Sequence, residues 1–591
     1  MSLMVYCYRH DEDYRAYDAA WIRRISDRLD LKTSPRIISG RGLFMEFICH
    51  ENIYAADSGE AIYFSDTDLT EDIRTRNFPD IQFRDGIRYS LRKDAEQVCL
   101  ANDLIGSVNL WYLTNEAGLI VSSSMRLLAM ASGVYQPDHE AFKWFLGNGQ
   151  LCPGKSWHEG ANLLPGGGRL SYAFHQRKIQ VTAEVGHVPR RKATLKDIEQ
   201  AVSQAIACVK VTPGMRLSLS GGVDSRVVLY EFIRRGIKMP CVVVGDPEYM
   251  QYPNCDCGIA REIARHTGVD LLPLELPDTI SGLEQDDLYQ HFRRYVASLE
   301  GCGFTPPFRV DANQRMRNAG ITDLIRGTEA FGWLFAANHL QARQIVAINL
   351  FSDYRESEPL RDQLAERMPH DLPPSLMRRN GETPAAWRDR LYRVYRVPCF
   401  LNPMDSALAT RMNTLHPFVY NSVIRSVVLR LSDRDRTDKE LFKKYCVNLE
   451  REVIGRNLPF ADGKPFPLQD DQAKHDALVH VALHALRKSA CAATMYEPEL
   501  IEALLRIARQ RQVKPQECNT ARLSQMPNFF KRHIPKPLRY KLKTWVGIQP
   551  SRDVDLTFQY GWILVRMAVI CITVDMLTED AKVFSKEFRA P

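Results

Sequence analysis

The sequence predicts an α/β protein: a mostly antiparallel α+β region, then a central parallel sheet, then a helical carboxyl-terminal extension. Three observations carry this. Up to about residue 185, short alternating runs are separated by Gly, Asn and Pro turn signals; from Met215 short apolar strands and amphipathic helices alternate; beyond about residue 335 the texture is helical. At 591 residues the chain is too long for a single hydrophobic core, and changes of texture divide it into 1–190, 191–470 and 471–591.

Taken in order, residues 107–112 (SVNLWY), 119–123 (LIVSS) and 169–174 (RLSYAF) read as strands, with a helix following Asp138 through EAFKWFL. The basic, Pro-containing stretch 187–192 (HVPRRK) reads as a linker. Thr194 and Asp197 then have capping-box spacing, and Ile198, Val202, Ile206 and Val209 mark one helical face. Residues 216–219, 241–244, 271–276 and 321–325 read as strands, and 225–233 as a helix. A second helix carries Ile259 and Ile263 and stops at Gly268. Such alternation gives a parallel sheet, whose ligands sit at the carboxyl ends of its strands. No internal repeat interrupts the pattern.

Composition excludes several classes. Hydrophobic residues at 45% and charged residues at 25% make an ordinary globular mixture, neither disordered nor fibrous. Lys plus Arg (78) less Asp plus Glu (71) leaves +7, too weak over this length for a charge-driven nucleic-acid binder. Fourteen cysteines are too sparse for a disulfide scaffold, and Cys255-Asp256-Cys257 is spaced too tightly for the usual zinc pair, so the cysteines read as thiols in a reducing compartment. The opening MSLMVYCYRHDEDYRAYD is not a signal peptide. Residues 562–577 carry Arg566 and Asp575 and read as a buried helix, so the expectation is a cytoplasmic protein without membrane insertion. His480 and His484, with His475 nearby, have the spacing of two metal ligands but no supporting acid motif. The basic-aromatic cluster at 529–545 reads as a solvated face.

One motif carries chemistry. Ser220-Gly221-Gly222-Val223-Asp224-Ser225 lies between a strand and a helix. Two glycines allow close backbone approach, the helix amino terminus offers N–H groups and a positive dipole end, and the two serines add hydroxyls: a phosphate cradle. A carboxylate at Asp224 suits such a pocket when Mg²⁺ accompanies the phosphate. No Gly-Lys-Ser/Thr follows, so this is not the Walker pattern.

The loop resembles the SGGxDS pyrophosphate loop of the ATP pyrophosphatase superfamily, whose members cleave ATP to AMP and pyrophosphate. Arg326-Gly327-Thr328-Glu329-Ala330-Phe331-Gly332 resembles the GEGSDExFGG segment of class B asparagine synthetases, one residue shorter after the acid. Residues 417–421 (PFVYN) are similar to that family's PFLD, and 439–443 (KELFK) to its KxLLR. Residues 105–130 are similar to its RFGxxPLYY…FASExKAL, and Leu164-Pro165-Gly166 to its LxPG. The resemblance covers roughly residues 100–465. It implies an adenine nucleotide α-hydrolase-like central domain, with ATP held by Leu219, Ser220, Gly221, Gly222, Asp224, Ser225, Val244 and Gly327, and Mg²⁺ held by Asp224 and Glu329. Lys439 would stabilise pyrophosphate and the tetrahedral intermediate, and Lys464, in ADGKPFP, lies where the family has another basic segment.

The same resemblance implies an Ntn-hydrolase-like amino-terminal domain, here degenerate. Ser2 stands where the family's glutaminase has a cysteine, Cys7 is inside an apolar run, and Asn52-Ile53-Tyr54 only echoes the glutamine-binding NGExYN. With Arg326 in place of the family's glutamate and a long tail past 470, the chain is similar to lasso-peptide macrolactam synthetases. That implies a precursor peptide substrate and a leader-binding or peptidase partner protein. The alternative is an asparagine synthetase or beta-lactam synthetase-type ligase acting on a small carboxylate. A non-catalytic scaffold is disfavoured by the intact loop. Spacing identifies no general base.

Overall fold

Antiparallel pairing organises the first part of the chain and parallel pairing the middle. The structure, a computed structural model, describes residues 2–10, 19–29, 31, 35–38, 42–48, 54–57, 61–65, 87–183, 191–245, 247, 249–275, 285–302, 314–328, 330–354, 360–408, 412–461, 468–510 and 556–585. Of the sequence-derived sites, Glu329, Lys464 and the 529–545 cluster lie outside the described residues, as do most of the 187–192 stretch and the side chains of Ser2 and His475.

The strands of the first part are β1 (Ser2–Arg9), β2 (Arg36–Ile38), β3 (Leu43–Ile48), β4 (Tyr54–Asp57), β5 (Ala61–Ser65), β6 (Ile87–Lys93), β7 (Gln97–Asn102), β8 (Trp111–Asn115), β9 (Gly118–Ser122), β10 (Asn162–Leu163), β11 (Gly168–Ala173) and β12 (Lys178–Ala183). They form two six-stranded sheets, in the orders β10-β8-β9-β1-β3-β2 and β12-β11-β7-β6-β5-β4. Strand alternation puts Met4, Tyr6, Phe44 and Val121 of the first sheet into one core with Leu91, Leu100 and Leu170 of the second. The other face of β1, with Leu3, Val5 and Cys7, packs on Ile25 of the helix Ala19–Leu29 and on Leu127 and Met130 of the helix Met125–Ser132.

The expected strand at 107–112 begins only at Trp111. Asp103 accepts from the amides of Ile105 (2.8 Å) and Ser107 (3.0 Å), which holds that stretch as a turn. The expected helix is His139–Asn148, capped by Asp138.

Thr194 and Asp197 do form a capping box, and the helix runs Leu195–Ala207. Val209 lies past its end, because its amide turns back to the Ile206 carbonyl at 3.1 Å. Then come β13 (Met215–Ser218), β14 (Cys241–Gly245), β15 (Leu271–Glu275), β16 (Asp323–Arg326) and β17 (Asn413–Leu415), all parallel, in the order β15-β14-β13-β16-β17. The chain moves outward from β13 to β15, then crosses back to the other side of β13. The strand order therefore reverses between β13 and β16, the position where open α/β sheets bind ligands. Leu217, Val243 and Ile325 pack with the helices Leu195–Ala207, Val223–Arg234, Ser422–Arg430 and Glu440–Ile454; Val242 and Leu324 point to the opposite face with Met316 and Met412.

The carboxyl-terminal helix Leu556–Ser585 contains Gly561–Lys582, which by length and composition could cross a membrane, yet 78% of that window is buried within the protein. Its charges have partners: Arg566 donates to the Leu146 (2.9 Å) and Gly147 (2.8 Å) carbonyls, and Asp575 accepts from Ser489 (2.6 Å). Ile563, Leu564, Met567 and Ile570 share one core with Phe145, Trp157, Phe292, Val481 and Leu483.

Candidate functional site

β13 runs directly into residues 220–225, and the helix Val223–Arg234 starts at once. Gly222 is its N-cap with extended backbone and no side-chain cap, so the first-turn amides are left to an external acceptor. The loop is braced from inside. The Ser220 amide donates to Ser225 Oγ (3.1 Å), the Gly222 amide to Ser220 Oγ (3.2 Å), and the two hydroxyls are 3.1 Å apart. The serines thus shape the cradle first. Asp256 accepts from the Gly221 amide at 2.8 Å, giving this residue a structural task that its CDC context did not suggest.

Glycine is required at 221 by space: a Cβ there would lie 2.6 Å from the Ala461 Cβ. Gly327 is required for the same reason, since its Cβ would fall 2.5 Å from the Ser225 amide nitrogen. The turn after β16 therefore rests against the first turn of the Val223–Arg234 helix. Leu219 has its side chain in the core and its amide on the Val242 carbonyl (2.9 Å), so only its remaining main chain faces the crevice. Val244 is half-buried near the carboxyl end of β14.

Lys439 comes from a segment far along the chain. Asp438 (φ 52°) and Lys439 (φ 58°) are successive left-handed residues, a conformation costing about 1–2 kcal/mol each for residues other than glycine. The segment is held in place by Gly332, whose Cβ would lie 1.9 Å from the Arg436 carbonyl oxygen, and by the Asp438 amide donating to the Trp333 carbonyl (2.8 Å). The result is a buried ion pair between Lys439 Nζ and Asp224 Oδ2. Asp224 Oδ1 is buried and has no hydrogen-bond partner among the described residues. A buried carboxylate oxygen left open beside an uncapped helix amino terminus fits a divalent cation. No group of three or more His, Cys, Asp or Glu suited to a metal ion occurs among the described residues.

Below the loop, Arg226 is fully buried. It donates to Glu450 (3.1 Å), to the Leu458 carbonyl (3.3 Å), to the Gly221 carbonyl (3.1 Å) and to the Pro459 carbonyl, and it stacks 4.6 Å from the Phe460 ring centroid. Tyr230 donates to the same Glu450 oxygen at 2.7 Å. Burial and then that carboxylate push the Tyr230 hydroxyl up.

Beside the Arg326–Thr328 turn lies a second network that sequence reasoning missed. Thr328 Oγ1 is hydrogen-bonded to His416 Nδ1, and His416 Nε2 lies 2.7 Å from Asp405 Oδ2 as an ion contact rather than an in-line hydrogen bond. Tyr420 donates to Asn402 (2.9 Å) and Asp405 (3.0 Å), and Asn402 reaches the Gly106 carbonyl of the antiparallel region. Burial acts to raise the Asp405 carboxyl, but His416, Arg326 and the Tyr420 hydroxyl hold it below the usual range. His416 directly precedes the PFVYN segment; nothing in the sequence pairs it with Asp405.

The discounted histidines have other partners: His480 is bonded to its own helix at the Asp476 carbonyl (2.7 Å), and His484 to Asp286 (2.9 Å). Cys255 caps the helix Asp256–Thr267, its sulfur accepting from the Gly258 amide at 3.2 Å. Compared with protein-family models the chain matches none, and no curated protein matches it.

Proposed function

We propose that the protein is a cytoplasmic ATP-dependent ligase that activates a carboxylate as its adenylate and joins it to an amine. On this reading it belongs with the asparagine synthetase-like ATP pyrophosphatases, its antiparallel region being a degenerate Ntn-hydrolase-like amidotransferase domain. The observation that carries the proposal is the glycine-serine loop at the reversal of strand order, with the open oxygen of Asp224 and the Lys439 ammonium beside it.

The pyrophosphate end of ATP sits on residues 220–225, with the first-turn amides as donors. Asp224, with Glu329, would hold Mg²⁺, which supplies neutralisation of phosphate charge. The substrate carboxylate oxygen attacks the α-phosphorus; the bond to the β-phosphate oxygen breaks and pyrophosphate leaves. The amine nitrogen then attacks the acyl carbon, AMP leaves with the C–O electron pair, and the nitrogen gives up one proton. Lys439 stabilises the charge on departing phosphate and on the tetrahedral oxyanion. His416, with one ring nitrogen on Thr328 and the other beside Asp405, is a positioning residue that holds the Arg326–Thr328 turn, and the base that takes the amine's proton is left unassigned.

The substrate we favour is a precursor peptide, delivered with a leader-binding or peptidase partner, whose Asp or Glu side chain closes a macrolactam with its own terminal amine. Enclosure of a prefolded peptide supplies proximity in place of an ammonia channel.

The test is pyrophosphate release from ATP and Mg²⁺ in two arms, aspartate with ammonia and a peptide with a free amine and an internal acid, with mass spectrometry for loss of one water. Peptide-dependent release with dehydration supports macrolactam formation. Release with aspartate and amide formation from ammonia overturns it in favour of a small-carboxylate ligase.

A further inference from the structure

A cavity of about 480 Å³ opens beside the carboxyl ends of β16 and β17. Its wall includes Ala330, Gly332 and Trp333, the continuation of the turn that rests on the phosphate loop, and Phe418 from the segment after β17. The antiparallel region contributes Ile105 and Pro165 on one side, and the helical segment Tyr392–Leu401 contributes the other. The lining is mainly apolar, and its volume is that of a site for a small organic ligand or a few residues of peptide.

The charges in this lining do not balance. Arg379, Arg390, Arg393 and Arg425 face a single acid, Asp389. That acid is already engaged from outside the cavity, by Arg388 at 2.6 Å and Arg436 at 3.0 Å. Arg390 is taken by Glu382, through contacts of 2.8 and 2.9 Å. Arg425 donates to the Leu104 carbonyl at 2.6 Å and is also offset by the Asp103 carboxyl outside the lining. Arg393 makes no hydrogen bond or ion pair among the described residues. Burial pulls its guanidinium down to about 10; Asp389 acts in the opposite sense, and Arg436, Arg425 and Arg390 reinforce the fall. Burial also lowers Arg425, with Asp103 acting in the opposite sense. Arg393 is half-buried at the cavity wall, and a cation crowded there by others is offset by a bound anion.

We infer that this cavity binds a carboxylate carried on an apolar body, the carboxylate against Arg393 and the body against Trp333, Phe418 and Val397. A guanidinium presents two parallel N–H donors to a carboxylate, which distinguishes such a ligand from an amine or an alcohol of the same shape. The binding claim stands on the cavity alone. Its identification as the chamber for the acyl substrate rests on the ligase reading, and on the shared wall at Ala330–Gly332.

The carboxylate could be that of a small aliphatic acid or of an acidic residue in an apolar peptide, and two sets of probes separate these. Isothermal titration calorimetry on the full chain, without ATP or Mg²⁺, compares octanoate with octyltrimethylammonium, and acetyl-Val-Leu-Asp-amide with its Asn counterpart. The expected result is binding of at least one carboxylate over its matched control. Arg393→Gln should weaken that binding by about tenfold or more, and Arg393→Lys should recover part of it. Val394→Trp, at an exposed position of the lining, should weaken binding by steric filling and keeps the question answerable if Arg393→Gln fails to fold. Octanoate binding alone assigns a small acid, and peptide binding alone assigns an acidic peptide. Equal binding of carboxylates and controls, no binding of either carboxylate, or full affinity in Arg393→Gln overturns the inference. Carboxylate binding without pyrophosphate release in any arm would refute the ligase and leave the cavity standing; the converse would refute the cavity alone.

Discussion

Arg226→Met should be among the most damaging single substitutions in the parallel-sheet region, although Arg226 is too deeply buried to touch a ligand. The wild-type guanidinium makes four hydrogen bonds, to Glu450 and to the carbonyls of Gly221, Leu458 and Pro459. Its removal leaves Glu450 fully buried with Tyr230 and the Leu458 amide still donating, at 2.7 and 3.0 Å. The Gly221 carbonyl keeps the Ala461 amide at 3.3 Å, but the other two carbonyls lose a donor. Breaking a buried pair from one side costs about 3–5 kcal/mol. The two retained donors to Glu450 place the expected cost near the lower end, about 3 kcal/mol. In a thermal melt this is a fall on the order of 10 °C for the transition that reports the parallel-sheet region. Arg226→Met/Glu450→Met should regain a large part of the loss, because it removes the stranded charge. A fall of only a degree or two for the single variant, or no recovery in the double variant, would refute the view that this pair anchors the loop.

Two further outcomes follow from the same geometry. Gly327→Ala puts a methyl 2.5 Å from a helix amide nitrogen, so the turn after β16 must move off the helix; a loss of about 1–3 kcal/mol is expected, with a raised KM for ATP in the pyrophosphate assay. Asp405 is held below its ordinary range when folded, so its contribution to stability is present above the unfolded value of about 3.9 and disappears as pH falls through the folded value. Asp405→Asn should therefore be less stable than wild type near pH 7, and the two melting temperatures should converge as pH falls below the unfolded value of about 3.9; parallel curves would show that the carboxylate charge is not what matters.

Four strands of the parallel sheet were legible because each is a short apolar run next to a helix with its own start or stop signal, such as the Thr194–Asp197 box and Gly268; β17, three residues within a stretch of helical texture, was not. The glycine-serine loop at 220–225 was legible because its glycines and serines fall within six consecutive residues, so the whole pattern is local. Contacts made over long separations left little trace. Arg226 meets Glu450 across 224 residues with no signal in either segment, whereas Lys439, which meets Asp224 across 215, was placed at the site by resemblance alone. The register of 107–112 failed for a local reason: apolar residues alternate there, but Asp103 captures the Ser107 amide and delays the strand to Trp111. Arg393 had no signal at all, since an arginine in a helical run reads as a surface residue until the packing around it is known.

The left-handed pair at Asp438 and Lys439 bears on how the proposed site would respond to nucleotide. Three segments are backed onto one another by glycine contacts and main-chain bonds: 220–225 on Gly327, and 332–333 on 436–438. Closing a lid between them would require a Cβ-free contact such as Gly332 against Arg436 to open, and the Asp438–Trp333 hydrogen bond to break. Exchange of partners by Lys439 requires neither, because only its side chain need leave Asp224 for a phosphate oxygen. Nucleotide binding should then change side chains and leave the backbone in place. In amide hydrogen exchange with and without ATP and Mg²⁺, the Asp438 amide should keep its protection while the open first-turn amides of the Val223–Arg234 helix gain it. Loss of protection at Asp438 on nucleotide binding would instead identify 436–439 as a moving element, and the strain at its two left-handed residues as what drives that motion.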